Sequence, residues 1–246
     1  ELMIILIPTY YKNEKYCNLL LDLLEVNWPN HPELYFLTDG GNINYPNVIK
    51  VDNKNWLIVL YKGLKYLINK YPDLDYIYLV LEDLIPLWSL SVEELTKIEN
   101  VVINNKLKCV CFPTYPAYWG QENEVKLDGI TLYKTPEEFD FYSQLQPSIW
   151  QVGHLMKICE HALENNLLDA WSFEWIKSEE QHYVSSYQWS TVFNGFLVRG
   201  RVNLAAINKI KLPEGKKLKN QLLKSFIFDL PSLIKYRINR KLKLIG

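Results

Sequence analysis

Two adjacent acidic residues follow an apolar run in the first half of the chain. Glu82 and Asp83 come directly after residues 75–81, which have the composition of a buried strand. Half-buried acids need compensation, and carboxylate oxygens suit a divalent cation that would neutralise a substrate diphosphate. Neighbouring side chains of a strand point in opposite directions, so we expect one of the two to bind metal directly, and prefer Asp83. The alternative is a simple turn or helix cap.

A second candidate carboxylate stands among aromatic residues. Glu174 lies in the segment Asp-Ala-Trp-Ser-Phe-Glu-Trp, which begins at Asp169 and contains Trp171. Apolar neighbours raise the pKa of a carboxyl group, and a raised pKa suits a general base that deprotonates a hydroxyl group. The same pattern is equally typical of a helix start with Ser172 as cap and both tryptophans in the core.

Polar residues in aromatic surroundings indicate places where a polyhydroxylated molecule could bind. In the segment 141–150, Gln144, Gln146 and Ser148 are polar groups in an aromatic setting that ends at Trp150. Tyr115 opens an aromatic loop whose rings could stack on such a molecule. The alternatives are a loop that leads into a helix and aromatic packing under the edge of a sheet.

Several common catalytic motifs are absent from the sequence. It has no Walker loop, no GxGxxG and no GxSxG, and its four histidines show no HxH or HxxxH spacing. The cysteines do not form a CxxC pattern; Cys109 and Cys111 are predicted to be buried free thiols, which suits a reducing compartment. The apolar start at 2–7 is short for a signal peptide, and no apolar run is long enough for a membrane span.

Strands and helices alternate over residues 1–113, which is typical of βαβ units and a mainly parallel sheet. Strands are predicted at 2–7, 34–41, 48–51, 75–81 and 108–113, and helices at 16–26, 55–71 and 91–104. Ligands of such sheets bind beyond the carboxyl ends of the strands. Residues at or near those ends are Pro8, Thr9, Tyr10, Asp39, Glu82 and Asp83.

The regular alternation of predicted strands and helices ends after residue 113. A strand is predicted at 129–134, helices at 147–165 and 171–186, and a strand pair at 192–203. We therefore predict one α/β domain over 1–206, with halves 1–113 and 114–206, followed by a tail at 207–246.

The charge is unevenly distributed although the net charge is −1. Residues 207–246 contain eleven Lys and Arg and two acidic residues, a net charge of +9, so the rest of the chain carries −10. The tail is predicted to be basic, helical and amphipathic, which suits an anionic membrane surface. The alternative is a helix packed on the domain. An acidic body disfavours nucleic acid as the partner.

The order of these segments resembles bacterial GT-A-type glycosyltransferases of polysaccharide and lipopolysaccharide assembly, whose fold is Rossmann-like. The resemblance covers residues 3–203. It lies in Pro8-Thr-Tyr after the first strand, Thr38-Asp39 after the second, a helix opening at Trp56, Leu81-Glu-Asp-Leu-Ile-Pro, Ser143-Gln-Leu-Gln-Pro-Ser-Ile-Trp, and Trp171-Ser-Phe-Glu.

The resemblance implies a nucleotide-sugar donor, UDP-type by default, over the first half of the sheet. Donor contacts are then expected from Pro8, Thr9, Tyr10, Asp39 and Trp56. Glu82-Asp83 looks like the DxD element that holds Mn²⁺ or Mg²⁺, although this sequence has Glu-Asp-Leu instead.

The second half would hold the acceptor. Glu174 looks like the base of inverting enzymes, and a retaining enzyme would use it only to orient the acceptor. Tyr115, Gln144, Gln146, Trp150 and Trp171 are expected to contact a glycan or lipid-linked acceptor. Family members often act at the inner membrane, so the resemblance implies a cytoplasmic enzyme peripheral to the inner face of the cell membrane.

Two other functions remain open at the level of sequence. A sugar nucleotidyltransferase has a similar sheet, but usually carries a Gly-rich basic loop after the first strand, which residues 8–14 lack. A non-catalytic carbohydrate or nucleotide binder is compatible with the imperfect DxD element.

Overall fold

The computed structural model describes residues 2–114, 121–191, 195, 197, 198, 201–209, 220, 223 and 224. Its strands are β1 Met3–Thr9, β2 Glu33–Thr38, β3 Val48–Lys50, β4 Tyr76–Leu79, β5 Cys109–Cys111, β6 Glu124–Leu127, β7 Ile130–Lys134, β8 Ser148–Gln151, β9 His182–Ser185, β10 Leu197–Val198 and β11 Arg201–Val202. Its helices are α1 Glu14–Asn27, α2 Trp56–Lys70, α3 Val92–Asn104, α4 Val152–Glu164, α5 Ala170–Glu174 and α6 Leu204–Lys209.

Nine of the described strands form one sheet in the order β3-β2-β1-β4-β8-β5-β9-β7-β6. β8 and β7 run against the other strands, and β8 lies between β4 and β5. Strand direction is therefore mainly parallel, as predicted. The carboxyl ends of β1, β2, β4 and β5 meet at one edge, called here the carboxyl edge.

Helices cover both faces of the sheet, because the buried strands are apolar on both sides. On β1, Ile5 and Ile7 face a core layer that includes side chains of α1 and α3. Ile4 and Leu6 face the opposite layer, which includes α2, α4 and α5. The predicted α/β class with a central sheet flanked by helices is confirmed.

Close packing of α2 on the sheet depends on one glycine. A Cβ atom on Gly63 would lie 2.5 Å from Leu37 Cδ1, so a larger residue would push α2 away from β2. The start of α2, at Trp56, is thereby held beside the carboxyl ends of β1 and β2.

Two predicted helices differ from the structure. Residues 148–151 at the start of the predicted 147–165 helix form β8, and α4 begins only at Val152. The predicted 171–186 helix is the short α5 followed by β9. Both strands are buried between neighbours of the sheet, and this tertiary environment overrides local helical spacing.

The predicted boundary after residue 206 falls inside α6, whose Ala206 and Ile207 are both buried in the core. Most of the predicted basic tail lies outside the described residues, so its proposed contact with a membrane stays a prediction. Within the described part of the chain, no helix combines the length and the apolar character that a bilayer span requires.

Candidate active site

A pocket of about 250 Å³ opens at the carboxyl edge, where β1, β2 and β4 end. Seven residues predicted from the sequence line it: Pro8, Thr9, Tyr10, Asp39, Trp56, Glu82 and Asp83. Asn13, Leu37, Lys54, Val59 and Leu81 complete the lining. The two acids therefore share one pocket with every residue that the sequence suggested for the donor nucleotide.

Glu82 is a half-buried carboxylate that the protein holds in place. Its Oε1 accepts a hydrogen bond of 2.7 Å from Asn13 Nδ2, and the backbone N–H of Tyr10 also donates to its side chain. Burial raises the pKa of Glu82 above its usual range and Asp39 adds to the effect, while these hydrogen bonds oppose it. Glu82 is thus oriented by the loop that follows β1.

Asp83 is the least compensated acid of the pocket. Its Oδ1 is buried and finds no hydrogen-bond partner among the described residues. Burial, followed by the charges of Glu82 and Glu174, raises the pKa of Asp83 to about 8. A carboxylate left unpaired in this way is costly unless a bound group compensates it.

Residues from the C-terminal part of the chain hold the short 3₁₀ turn that carries both acids. Trp189 Nε1 donates to Leu84 O at 2.6 Å. Gly195, at φ +69°, lies against the backbone of Asp83, where an added Cβ would be 2.1 Å from the carbonyl oxygen. The position of Asp83 is therefore set by residues more than one hundred positions later in the chain.

The acids fit a divalent cation bound together with a diphosphate. Among the described residues there is no group of three His, Cys, Asp or Glu that could hold a metal alone. Mg²⁺-type sites nevertheless often use one or two carboxylates and take their remaining ligands from substrate phosphates and water. The unpaired Asp83 Oδ1 and the neighbouring Glu82 meet that requirement.

Aromatic and polar groups form the other wall of the pocket. Asp39 Oδ1 accepts a 2.7 Å hydrogen bond from the backbone of Tyr11 and thereby shapes the loop after β1. The Tyr10 side chain is 45% exposed, with its ring 4.7 Å from that of Tyr11. Lys54 provides a cation to the pocket. This wall offers a flat surface, hydrogen-bonding groups and one positive charge.

Sequence reasoning missed Asn13 and Lys54. Both lie outside the strands, so the rule about strand ends did not find them. Lys54 stands two residues before Trp56, and that proximity to the start of α2 was the available signal.

Glu174 lies near this pocket but does not line it. Its Oε1 accepts a 3.0 Å hydrogen bond from the backbone of Leu145, and burial raises its pKa. Its charge also contributes to the raised pKa of Asp83, which places the two carboxylates in the same electrostatic environment. Beneath it, Phe173 packs edge to face against Trp56 of the pocket wall, at 5.6 Å between ring centroids.

The predicted acceptor residues have different surroundings. Gln144 and Gln146 flank Leu145, and their Nε2 and Oε1 atoms, respectively, are buried without a partner in the described part of the chain. The Trp171 side chain is 71% exposed. Tyr115 lies outside the described residues.

Trp150 is fully buried in the core, and its Nε1 donates to Ser148 Oγ at 2.8 Å. A side chain without exposed surface has no access to an acceptor, so the prediction for Trp150 is corrected: it supports the sheet. The reason is its place on β8, the strand enclosed by β4 and β5.

No family model matches the chain, and no curated protein matches it significantly. Among solved structures it is similar to S. aureus TarS, with 12% identity and a TM-score of 0.45 over 92% of this chain and 43% of TarS. An active-site mutant of LgtC shares 15% identity and a TM-score of 0.41 over 70% of this chain and 68% of that one. 4-Diphosphocytidyl-2C-methyl-D-erythritol synthase from Anaerococcus prevotii shares 13% identity and a TM-score of 0.40 over 78% and 91%.

Proposed function

We propose that the chain is a glycosyltransferase that moves a sugar from a nucleotide-sugar donor to a hydroxyl group of a glycan or lipid-linked acceptor. The observation that carries the proposal is the presence of two acidic centres with different surroundings. Glu82 and Asp83 line a pocket that also contains Tyr10 and Trp56, whereas Glu174 lies outside that lining, on α5, and its charge acts on Asp83.

The pocket suits a nucleoside diphosphate group. The exposed ring of Tyr10 offers a stacking surface for a base, and Asn13, Asp39 and Thr9 offer polar groups around it. Lys54 supplies a positive charge for phosphate oxygens. A divalent cation, Mn²⁺ or Mg²⁺, held by Asp83 and Glu82 would supply neutralisation of the diphosphate charge.

Glu174 suits the role of general base in an inverting reaction. The acceptor oxygen forms a bond to the anomeric carbon, the bond from that carbon to the diphosphate oxygen breaks, and the nucleoside diphosphate leaves with the electron pair. The hydroxyl proton passes to Glu174, whose raised pKa brings its basicity closer to the working pH. The N–H of Leu145 keeps its carboxylate oriented.

A thermal-shift screen tests the donor site. UDP, GDP, CMP and dTDP sugars are each added with and without Mn²⁺ to wild type, to Asp83→Asn and to Asp22→Asn, an exposed control on α1. One nucleotide class is expected to stabilise wild type by about 2.7 kcal/mol at one hundred times its Kd. The increment due to Mn²⁺ should disappear in Asp83→Asn and persist in Asp22→Asn.

If none of the four classes shifts the wild-type transition, the proposed donor site is wrong. If a nucleoside triphosphate with a sugar phosphate reacts in place of a nucleotide sugar, the chain is a nucleotidyltransferase. If nucleotide sugars bind but no sugar is transferred or hydrolysed, the chain is a binding protein.

A further inference from the structure

Two tryptophan side chains on either side of Glu174 are the most exposed large hydrophobic groups in the described part of the chain. Trp171 is 71% and Trp175 is 61% exposed, whereas the next, Tyr66, is 48% exposed. Exposed apolar surface of this kind, concentrated at one place, marks a binding surface more often than a scattered single residue does.

The two indoles lie on the same side of α5 and its C-cap. Positions four apart are neighbours on a helix surface, and position 174 falls on the flank of the same side. Phe173 points the opposite way and is fully buried against Trp56 and Trp150. The helix thus presents Trp171, Glu174 and Trp175 together.

The backbone that carries these side chains is held at both ends of α5. Asp169 caps α5 by accepting a 2.9 Å hydrogen bond from the backbone of Ser172. The other end is joined to residues 143–145, because Ser143 N donates to Glu174 O at 3.1 Å and Ser143 Oγ donates to Ile176 O at 2.8 Å. A backbone held in this way loses little conformational entropy when a ligand binds.

The charge around the two rings favours an uncharged, hydroxyl-bearing occupant. Residues 169–180 contain four acids and one base, Lys177, whose Nζ donates to the carbonyl oxygen of Glu137. Anionic membrane surfaces bind basic segments, so this acidic surface is unsuited to them. A sugar instead offers an apolar C–H face to an indole and hydroxyl groups to a carboxylate.

The spacing indicates more than one sugar unit. Four residues of helix rise about 6 Å, which is on the scale of one pyranose, so each indole can contact one of two consecutive sugars. We propose that Trp171 and Trp175 form a stacking subsite for two consecutive sugar residues of an oligosaccharide acceptor, with a hydroxyl group of that acceptor at Glu174. This inference rests on the proposed transferase function and narrows its acceptor from a glycan or lipid-linked molecule to a carbohydrate chain.

Isothermal titration calorimetry with cellohexaose, maltohexaose, chitohexaose and mannohexaose tests the subsite. Wild type is compared with Trp171→Ala, Trp175→Ala and Tyr66→Ala, the last an exposed aromatic control on α2. At least one hexasaccharide should bind wild type, and each tryptophan variant should weaken its Kd about tenfold, the order expected when a stacking partner is removed. Trp171→Phe and Trp175→Phe should keep most of the affinity, and Tyr66→Ala all of it.

The subsite is overturned if no hexasaccharide binds wild type with a Kd below about 10 mM, or if both alanine variants bind as wild type does. It is also overturned if the tryptophan variants lose binding to phosphatidylglycerol vesicles while hexasaccharides bind none of the proteins, since the rings would then contact a membrane. Thermal unfolding of each variant checks that it is folded.

The nucleotide screen separates this inference from the proposed function. If the wild-type protein binds a nucleotide sugar but no hexasaccharide, the proposed stacking subsite is wrong and the proposed transferase function still stands. If hexasaccharide binding depends on both tryptophans and no nucleotide sugar binds, the subsite is supported and the proposed transferase function is wrong.

Discussion

Two groups of buried titratable side chains, one at the carboxyl edge and one on α4 and β9, differ in how their polar atoms are paired. At the carboxyl edge, Asp83 Oδ1 has no partner in the described residues. On α4 and β9, the imidazoles of His154 and His182 instead meet at 2.8 Å between their Nε2 atoms. His182 Nδ1 lies 3.2 Å from the carbonyl oxygen of Tyr142 and must donate to it, so His182 Nε2 accepts the proton of His154 Nε2.

We expect this difference between a polar pair that stabilises the fold and an acid that binds a ligand. Burial lowers the pKa of His154 to about 4 and that of His182 to about 3, so both rings are neutral and fully suited to their hydrogen bond at neutral pH. Asp83 is also pushed towards neutrality, yet its Oδ1 has no partner among the described residues. A buried pair that satisfies itself stabilises the fold, whereas an unpaired buried acid indicates a place for a ligand.

The largest expected effect lies on the acidic side of the comparison. Glu174→Gln should lower kcat of sugar transfer about 10²–10⁴-fold, because the amide does not accept the hydroxyl proton. Nucleotide affinity should stay within about twofold, since Glu174 is not part of the pocket lining. Steady-state kinetics with Glu164→Gln, an exposed acid on α4, as control measures this. A variant that retains near wild-type kcat would remove Glu174 from catalysis.

For the histidine pair, we expect a loss of stability without a loss of nucleotide binding. His182→Ala should lower the free energy of unfolding by about 3 kcal/mol, since it leaves a cavity and an unpaired His154. Urea denaturation measures the change, and His161→Ala, an exposed histidine of α4, should be near neutral. The folded variant should bind nucleotide as wild type does. A selective loss of nucleotide affinity in a folded His182→Ala protein would contradict the structural role of the pair.

A stabilising substitution is expected at the acidic site. Burial raises the pKa of Asp83 from its ordinary value of 3.8 to about 8 in the folded protein, so its contribution to stability is full below pH 3.8 and is lost as the pH rises towards 8. Asp83→Asn should therefore increase the free energy of unfolding at pH 8 in EDTA, by on the order of 1–2 kcal/mol. The exposed Asp73→Asn serves as control in urea denaturation. An Asp83→Asn protein less stable than wild type would show that the carboxylate is structurally required.

The smallest effect is the pH dependence of the histidine pair. Both folded-state pKa values lie below the ordinary histidine value of 6.5, so the stabilisation is complete above pH 6.5 and is lost as the pH falls towards 4 and 3. Between pH 7 and 5.5 the loss should be on the order of 1 kcal/mol. Glu180 opposes the shift of His154, whereas Lys108 and Lys157 add to it.

The free energy of unfolding is measured against pH for Asp83→Asn and for Asp83→Asn/His182→Phe. Both proteins carry Asp83→Asn, because the titration of Asp83 would otherwise change stability in the opposite direction over the same pH range. The two stability curves should converge as the pH falls. Parallel curves would mean that the histidines are not held neutral.

The part of the pocket formed by strand ends was predictable from the sequence, because those residues obey one local rule. Pro8, Asp39 and Asp83 each follow an apolar run, and parallel strands bring such positions to one edge. The surroundings of Trp150 and the pairing of His154 with His182 were not predictable. They depend on where β8 and β9 insert in the sheet, and residues 28 positions apart carry no local signal of contact.

The insertion of β8 between β4 and β5 also has a consequence for synthesis on the ribosome. β4 pairs with β1 early in the chain, but its other partner, β8, is made about seventy residues later. At roughly 5–20 residues per second, this strand edge waits for several seconds with unpaired backbone groups. Such an edge pairs readily with other chains. The nascent protein therefore passes through an interval in which aggregation competes with folding, and that interval ends when β8 closes the sheet.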